Sequence, residues 1–125
     1  MQESIYQQYK AQSLGTLTNG EIVIKLFEEA SKQITMAIFL TNQRDIAKAY
    51  DCIAKAQKII NALDTSLDMR YPISSELREM YRFLHKALAD CIVDQNTKLM
   101  KDLLHIVDEF KVTFRQADKL ARASK

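Results

Sequence analysis

Residues that break helices are nearly absent from this chain. Its 125 residues include two Gly and one Pro, and these are the residue types that interrupt helices most strongly. Apolar residues recur at helical spacing along most of the sequence, and no stretch shows the alternation typical of a half-buried strand. The sequence therefore predicts an all-α protein built from long helices.

The first two predicted helices follow each other closely. The first begins at the sequence TNGE, in which Thr18 and Glu21 have capping-box spacing, and it should end between residues 41 and 44. Asp45 can then cap a second helix, whose apolar stripe extends over residues 46–67. The pattern indicates two helices joined by a very short loop.

Two further helices are predicted after the single proline. Pro72 disfavours helical geometry in the residue before it, and Ser74 or Ser75 is expected to cap the third helix. This helix should end near Val93, after which Asn96 is a favourable cap for the last helix. Helices of this length with short connections predict an antiparallel up-down four-helix bundle over residues 18–125.

A short leader at residues 1–17 precedes the predicted bundle. Ile5 and Tyr9 share a helical face, and Tyr6 lies beside them. The leader is too short to form a stable helix alone, so it has to rest on an apolar surface or remain mobile. We therefore treat it as a short additional helix or leader that is separate from the bundle.

Composition excludes several classes of protein. The 18 basic and 16 acidic residues give a net charge of +2, and no basic stripe interleaved with aromatic residues indicates nucleic-acid binding. No apolar run approaches the ~18 residues that a membrane span needs, and the N-terminus does not resemble a secretory signal. We expect a cytoplasmic protein without membrane insertion.

Catalytic and metal-binding motifs are also missing from the sequence. It contains no Glu-x-x-His, Walker loop, GxSxG or HExxH motif. His85 and His105 are out of phase with the apolar stripes and should lie on the surface. Cys52 and Cys91 should be small buried thiols. The sequence therefore predicts no enzyme, no cofactor and no metal site.

The first long helix is more apolar than one face of a small bundle requires. Steps of about 100° per residue leave Ile24, Met36 and Phe39 on or beside its charged face. These three residues could be scattered or covered within the chain, form a self-association contact, or form a groove for an amphipathic partner helix.

Three segments of the chain carry distinctive motifs: IYQQYKAQS in the leader, KAQKIINALDTSLD at residues 55–68 and LREMYRFLHKAL at residues 77–88. They resemble, in this order, the Tyr-Gln-x-Tyr opening, the Lys-Ala-Gln-x-Ile-Ile-x-x-Leu segment and the Leu-Tyr-x-Tyr/Phe-Met/Leu helix of the FliS family of flagellar secretion chaperones. Their order and the chain length match over nearly the whole sequence. Phe27 and Phe114 depart from the family pattern but keep its apolar character.

The resemblance implies a cytoplasmic export chaperone for flagellin. Such a protein binds the disordered C-terminal segment of flagellin, prevents premature polymerisation and assists delivery to the flagellar type III export gate. Further implied partners are the export gate itself and an anti-sigma factor, and a weak homodimer is compatible with the pattern. The alternative is a non-catalytic helical scaffold or regulatory module that self-associates or binds another flagellar protein.

The predicted flagellin-binding and lid residues have two origins. Tyr6 and Tyr9 match the leader motif, and Gln57 matches the Lys-Ala-Gln motif of the second helix. The others are chosen from the helical phase or the leader pattern. The complete set is Ile5, Tyr6, Tyr9, Ile24, Met36, Phe39 and Gln57.

Overall fold

Four consecutive α-helices make up the described part of the chain. The computed structural model describes residues 19–123, and helices are the only regular secondary structure in this range. The helices are α1 (Asn19–Asn42), α2 (Ile46–Thr65), α3 (Pro72–Asp94) and α4 (Thr97–Ala123). The predicted all-α fold is confirmed, whereas the leader and Thr18 lie outside the described residues.

Two of the predicted helix caps are confirmed. An Asp45 carboxylate oxygen accepts a hydrogen bond from the Lys48 amide at 3.3 Å, at the start of α2. The Asn96 side-chain oxygen accepts from the Leu99 amide at 3.0 Å, at the start of α4. Each side chain satisfies an amide that has no partner within its own helix, so both loops are fixed locally.

The predicted start of α3 is wrong. The helix begins at Pro72 and not at a cap formed by Ser74 or Ser75. Proline is well suited to the first helical turn, where its missing N–H is not needed, and Tyr71 before it is extended. Ser74 is buried, and its hydroxyl donates to the Asp68 carbonyl oxygen at 2.6 Å. The serine therefore holds the α2–α3 turn against the helix.

An ion pair orders the same turn. The Arg70 guanidinium donates to both Asp68 carboxylate oxygens, and the Arg70 amide donates to one of them at 3.0 Å. The guanidinium hydrogen bond lowers the pKa of the Asp68 carboxyl to about 2. The carboxylate therefore remains charged through the mildly acidic range.

The core is organised around one aromatic side chain. Phe27 of α1 has 0% exposure, and its ring centroid lies 5.3 Å from Phe114, 5.7 Å from Phe110 and 6.3 Å from Tyr81. These separations are typical of favourable aromatic pairs. The cluster joins α1 to both α3 and α4, and it includes both positions at which the chain departs from the family pattern.

The helices do not all pack equally closely. Helix α1 packs closely against α2 and α4, and α2 packs against α3, while α3 and α4 have much less contact. The Ser31 hydroxyl donates to the Asp108 carboxylate at 2.6 Å and ties α1 to α4. The Gln57 amide donates to the His85 carbonyl oxygen at 3.1 Å and ties α2 to α3.

The buried stripes are narrower than the sequence pattern indicates. Ile22, Tyr50 and Met80 belong to the apolar stripes of their helices, yet all three are exposed. A residue at the edge of a stripe is covered only where a neighbouring helix lies beside it. The periodicity shows which side of a helix faces the core. It does not show how much of that side the neighbouring helices cover.

We predict that Phe27→Ala lowers the free energy of unfolding by about 3–5 kcal/mol, because the truncation leaves a cavity among the rings. Phe39→Ala is the matched control on the same helix. Phe39 is 61% exposed, so its truncation should change stability by no more than about 0.5 kcal/mol. Urea unfolding followed by circular dichroism measures both, and equal effects would contradict the proposed role of Phe27.

Candidate functional site

Among residues 19–123, no group of three or more His, Cys, Asp or Glu side chains could hold a metal ion. His85 and His105 are exposed, and Cys52 and Cys91 are free and buried, as predicted. Burial raises the pKa of the Cys91 thiol to about 11, which makes it a poor nucleophile. The candidate site is therefore sought among exposed apolar surfaces.

Met36 and Phe39 form the first such surface, the α1 patch. Met36 is nine residues from the core residue Phe27, which places it about 180° round the helix. Phe39 is three residues further along and therefore adjacent to Met36. Both side chains are exposed. This confirms their phase in the sequence but does not itself assign them a ligand.

Ile24 lies elsewhere, on the side of α1 that faces α4. It is half-buried and packs against the core. It also lines a surface cavity whose other walls are charged side chains of α1 and α4, among them Glu28 and Arg115, which form an ion pair. Ile24 is therefore largely covered within the chain and does not belong to the α1 patch.

The α2–α3 seam contains a second apolar surface, the apolar cleft, of about 240 Å³. Tyr50 and Val93 stand at its edges, and Val93 is 79% exposed. Gln57 lies within the cleft and bridges the two helices through its bond to the His85 carbonyl. The described residues that line it are Tyr50, Ile53, Ala54, Gln57, Ala89, Ile92 and Val93.

A polar cleft continues the same seam towards the α2–α3 turn. It is lined by Ile60, Asn61, Asp64, Tyr81, Arg82 and His85. The Arg78 guanidinium donates to an Asp64 carboxylate oxygen at 3.1 Å. The Arg82 guanidinium is 3.7 Å from the other carboxylate oxygen, too far for a hydrogen bond. One carboxylate therefore faces two guanidinium groups.

The α3–α4 groove is a third apolar surface, between the two neighbouring helices whose backbones approach each other least. The rings of Tyr81 and Phe110 meet between these helices, with centroids 6.1 Å apart. Arg78 and His85 mark the flank of α3 that faces α2. Met80 is two residues after Arg78, and Phe83 is two residues before His85. A step of two residues turns the helix by about 200°, so both side chains lie on the opposite flank of α3. Both are exposed. They consequently lie on the flank directed towards α4.

The same helical geometry identifies the side of α4 that faces α3. Asp108 is bonded to α1 through Ser31, and Ile106 and Phe110 are two residues to either side of it, about 200° away. Both are partly buried and pack against the core. The floor of the α3–α4 groove is therefore apolar and reaches the aromatic cluster.

The predicted site residues do not converge on one place. Met36 and Phe39 are adjacent, Ile24 is 15 residues before Phe39 along α1, and Gln57 lies in the α2–α3 seam. The leader residues are outside the described range. Sequence reasoning missed the exposed residues Phe83 and Val93. Phe83 is off the apolar stripe of α3 and three residues from Met80 at the edge of that stripe, and this spacing could have indicated the groove.

Comparisons with known proteins identify a family and a relative of this chain. The family model described as Flagellar protein FliS matches residues 1–121. Flagellar secretion chaperone FliS of Bacillus subtilis (strain 168) is 25% identical over 112 residues, which cover 90% of this chain and 84% of that protein. The matched family range includes both the leader and the bundle.

We predict different stability effects for the two arginines of the seam. Arg78 is bonded to the largely buried Asp64, so Arg78→Gln should cost about 1–3 kcal/mol. The side chain of Arg82 is 69% exposed and lacks a hydrogen bond to Asp64, so Arg82→Gln should cost at most about 0.5 kcal/mol. Thermal and urea unfolding measure both variants. Comparable losses would show that Arg82 is also structural.

Proposed function

Because the chain belongs to the FliS family of flagellar proteins, we propose that it is a flagellar secretion chaperone whose client is the C-terminal segment of flagellin. The name of its B. subtilis relative supports the chaperone role. On this proposal, the protein binds the segment in the cytoplasm, prevents premature polymerisation and assists delivery to the flagellar type III export gate.

The observation that carries the proposal is the distribution of exposed apolar residues. They occur in the α1 patch, the apolar cleft and the α3–α4 groove, on different sides of the bundle. A disordered client must be ordered when it binds, which costs about 2–5 kcal/mol or more and calls for a large contact area. A long segment that follows the bundle surface can supply this area without a deep pocket.

The surfaces suit helical parts of such a client. Amphipathic helices bind grooves through apolar residues at helical spacing. The apolar cleft and the α3–α4 groove both extend along a pair of helices, so each offers a track for one helix. The exposed residues Met36 and Phe39 would be further anchors outside these two surfaces. Tyr50 would be an exposed anchor at the edge of the apolar cleft. The client would therefore bind through several moderate contacts.

The leader is proposed as the lid of the α3–α4 groove. Residues 1–17 precede α1, whose first residues lie at the end of an up-down bundle where α3 begins. Met80 and Phe83 are 8 and 11 residues from the start of α3, about 12–17 Å along its axis. Seventeen residues span about 25 Å even in the helical form. The leader is thus long enough to reach the groove.

The proposed lid has a physical advantage in the empty chaperone. Ile5, Tyr6 and Tyr9 can cover exposed apolar residues, which lowers the risk of aggregation. The client has to displace these side chains, so part of its binding free energy is offset. Reduced affinity favours later release at the export gate. Binding to an anti-sigma factor remains a separate prediction from the family resemblance, and weak homodimerisation remains one from the exposed apolar pattern.

We predict that the C-terminal segment of flagellin from the same bacterium binds the full-length protein near one-to-one. Calorimetry should give a negative heat-capacity change, and circular dichroism should show more helix than the separate components. Phe39→Ala should weaken binding about tenfold or more if Phe39 is an anchor.

Val112→Ala is the matched control, because Val112 is an exposed apolar residue of α4 outside the three surfaces. It should leave the affinity unchanged. Absence of binding at tens of micromolar by a well-folded protein would contradict the proposed client. Equal effects of Phe39→Ala and Val112→Ala on the affinity would show that Phe39 does not contact the flagellin segment.

We also predict that the double variant Ile5→Ala/Tyr6→Ala loosens the lid. Hydrogen exchange should become faster in α3 around Met80 and Phe83, and the flagellin segment should bind a few-fold more tightly because it displaces less. The double variant Gln7→Ala/Gln8→Ala in the same leader is the control. Unchanged exchange in α3, together with unchanged affinity, would contradict the lid.

A further inference from the structure

The two clefts of the α2–α3 seam differ sharply in chemistry. The apolar cleft is lined by aliphatic and aromatic residues with Gln57 as its one amide. The polar cleft is lined mainly by polar and charged side chains. Both clefts use the same pair of helices, so a ligand helix lying along the seam would contact the two environments in succession.

Two guanidinium groups approach one carboxylate at the polar cleft, because Arg78 and Arg82 both pair with Asp64. Among the described residues that line the cleft, Asp64 is the one carboxylate and Arg82 the one arginine. The side chain of Asp64 is 13% exposed, and the shorter of its two ion pairs is the 3.1 Å hydrogen bond from Arg78. Arg78 alone supplies the positive charge that neutralises the Asp64 carboxylate. The guanidinium of Arg82 is therefore not needed for this purpose.

Arg82 is available to an incoming group. Its side chain is 69% exposed, and its Nε is 3.7 Å from Asp64, beyond the distance of a good hydrogen bond. A guanidinium has five N–H donors in a planar fork that matches a carboxylate. Within the described part of the chain, Arg82 makes only this one weak ion-pair contact. Most of its donors therefore face solvent.

Two neighbouring side chains add hydrogen-bonding capacity at the same place. His85 is exposed and lines the cleft, and its recorded bond with Gln57 uses the backbone carbonyl, not the ring. Asn61 is exposed on the facing side of α2. Its amide supplies donors to an anion. Arg82, His85 and Asn61 thus form an open rim that can donate hydrogen bonds to one oxygen-rich group.

We propose that this rim, formed by Arg82, His85 and Asn61, recognises an Asp or Glu carboxylate of the client segment. This inference rests on the proposed function and adds the chemistry of one contact to it. The client helix would place its apolar residues in the apolar cleft and its carboxylate against Arg82. The charge-assisted pair would fix the register and direction of the helix in the seam, which apolar contacts alone determine poorly.

The distance between the two clefts determines the distance between the apolar anchor and the carboxylate of the client. Ala54 in the apolar cleft and Asn61 in the polar cleft are seven residues apart on α2, about 10 Å along the axis. A client helix lying along α2 must therefore carry its carboxylate about seven residues, or two turns, from the apolar anchor. Residues at this separation share one helical face.

The test compares Arg82→Gln with Lys101→Gln in the full-length protein. Lys101 is an exposed cation of α4, a helix that does not adjoin α2 closely, so its removal changes the net charge by the same amount. The probe is the C-terminal segment of flagellin from the same bacterium, titrated by calorimetry at low and high salt. Arg82→Gln should weaken binding about tenfold at low salt and reduce the salt dependence, while Lys101→Gln should do neither.

A charge exchange identifies the partner of Arg82. Each Asp or Glu of the segment is changed singly to Arg and titrated against Arg82→Glu. Recovery of affinity at one position, about seven residues from an apolar anchor, would support the proposal. If the parent protein binds the segment but Arg82→Gln behaves like Lys101→Gln, the carboxylate contact is overturned and the proposed function stands.

Two other outcomes would also overturn the carboxylate contact. Failure of the parent protein to bind the segment would overturn both proposals. Sedimentation without the segment tests whether a second copy of the chain occupies the seam. Concentration-dependent dimers that Arg82→Gln abolishes would assign the rim to self-association in place of the client.

Discussion

The burial of Phe27 between α3 and α4 is the contact on which the arrangement of the bundle depends. Its ring meets Tyr81 from α3 and both Phe110 and Phe114 from α4, while α3 and α4 are the neighbouring helices whose backbones approach each other least. The two helices are therefore held together through α1 and through the rings of Tyr81 and Phe110, whose centroids are 6.1 Å apart. The α3–α4 groove lies over this aromatic cluster.

The function proposed for this FliS-family protein uses surfaces of a small bundle in place of a cavity. A helix in a four-helix bundle buries one stripe and is free on the rest of its circumference. The chain places Met36, Phe39, Phe83 and Val93 on these free sides. A client that is disordered before assembly can adapt to such separated contacts, and it can leave stepwise because no single contact encloses it.

The sequence predicted the fold well because the determining signals are local. Asp45 and Asn96 are caps whose effect depends on a few neighbouring residues. The start of α3 was misjudged because Ser74 bonds to the preceding turn instead of capping a helix. The candidate site was predicted only in part. Helical phase identified Phe39 as outward, but it cannot show which neighbouring helix leaves a groove, and the pairing of Arg78 with Asp64 required the folded structure.

The central claim is that the client contacts several sides of the bundle, and the methionines of the chain allow a direct test. Met36 lies in the α1 patch and Met80 in the α3–α4 groove, while Met100 is buried and Met69 lies in the α2–α3 turn. Methyl NMR of the full-length protein should show both Met36 and Met80 signals shifting together with the flagellin segment, with Met69 and Met100 nearly unchanged. Shifts of Met36 or Met80 alone, or of neither, would contradict a client that spans both surfaces.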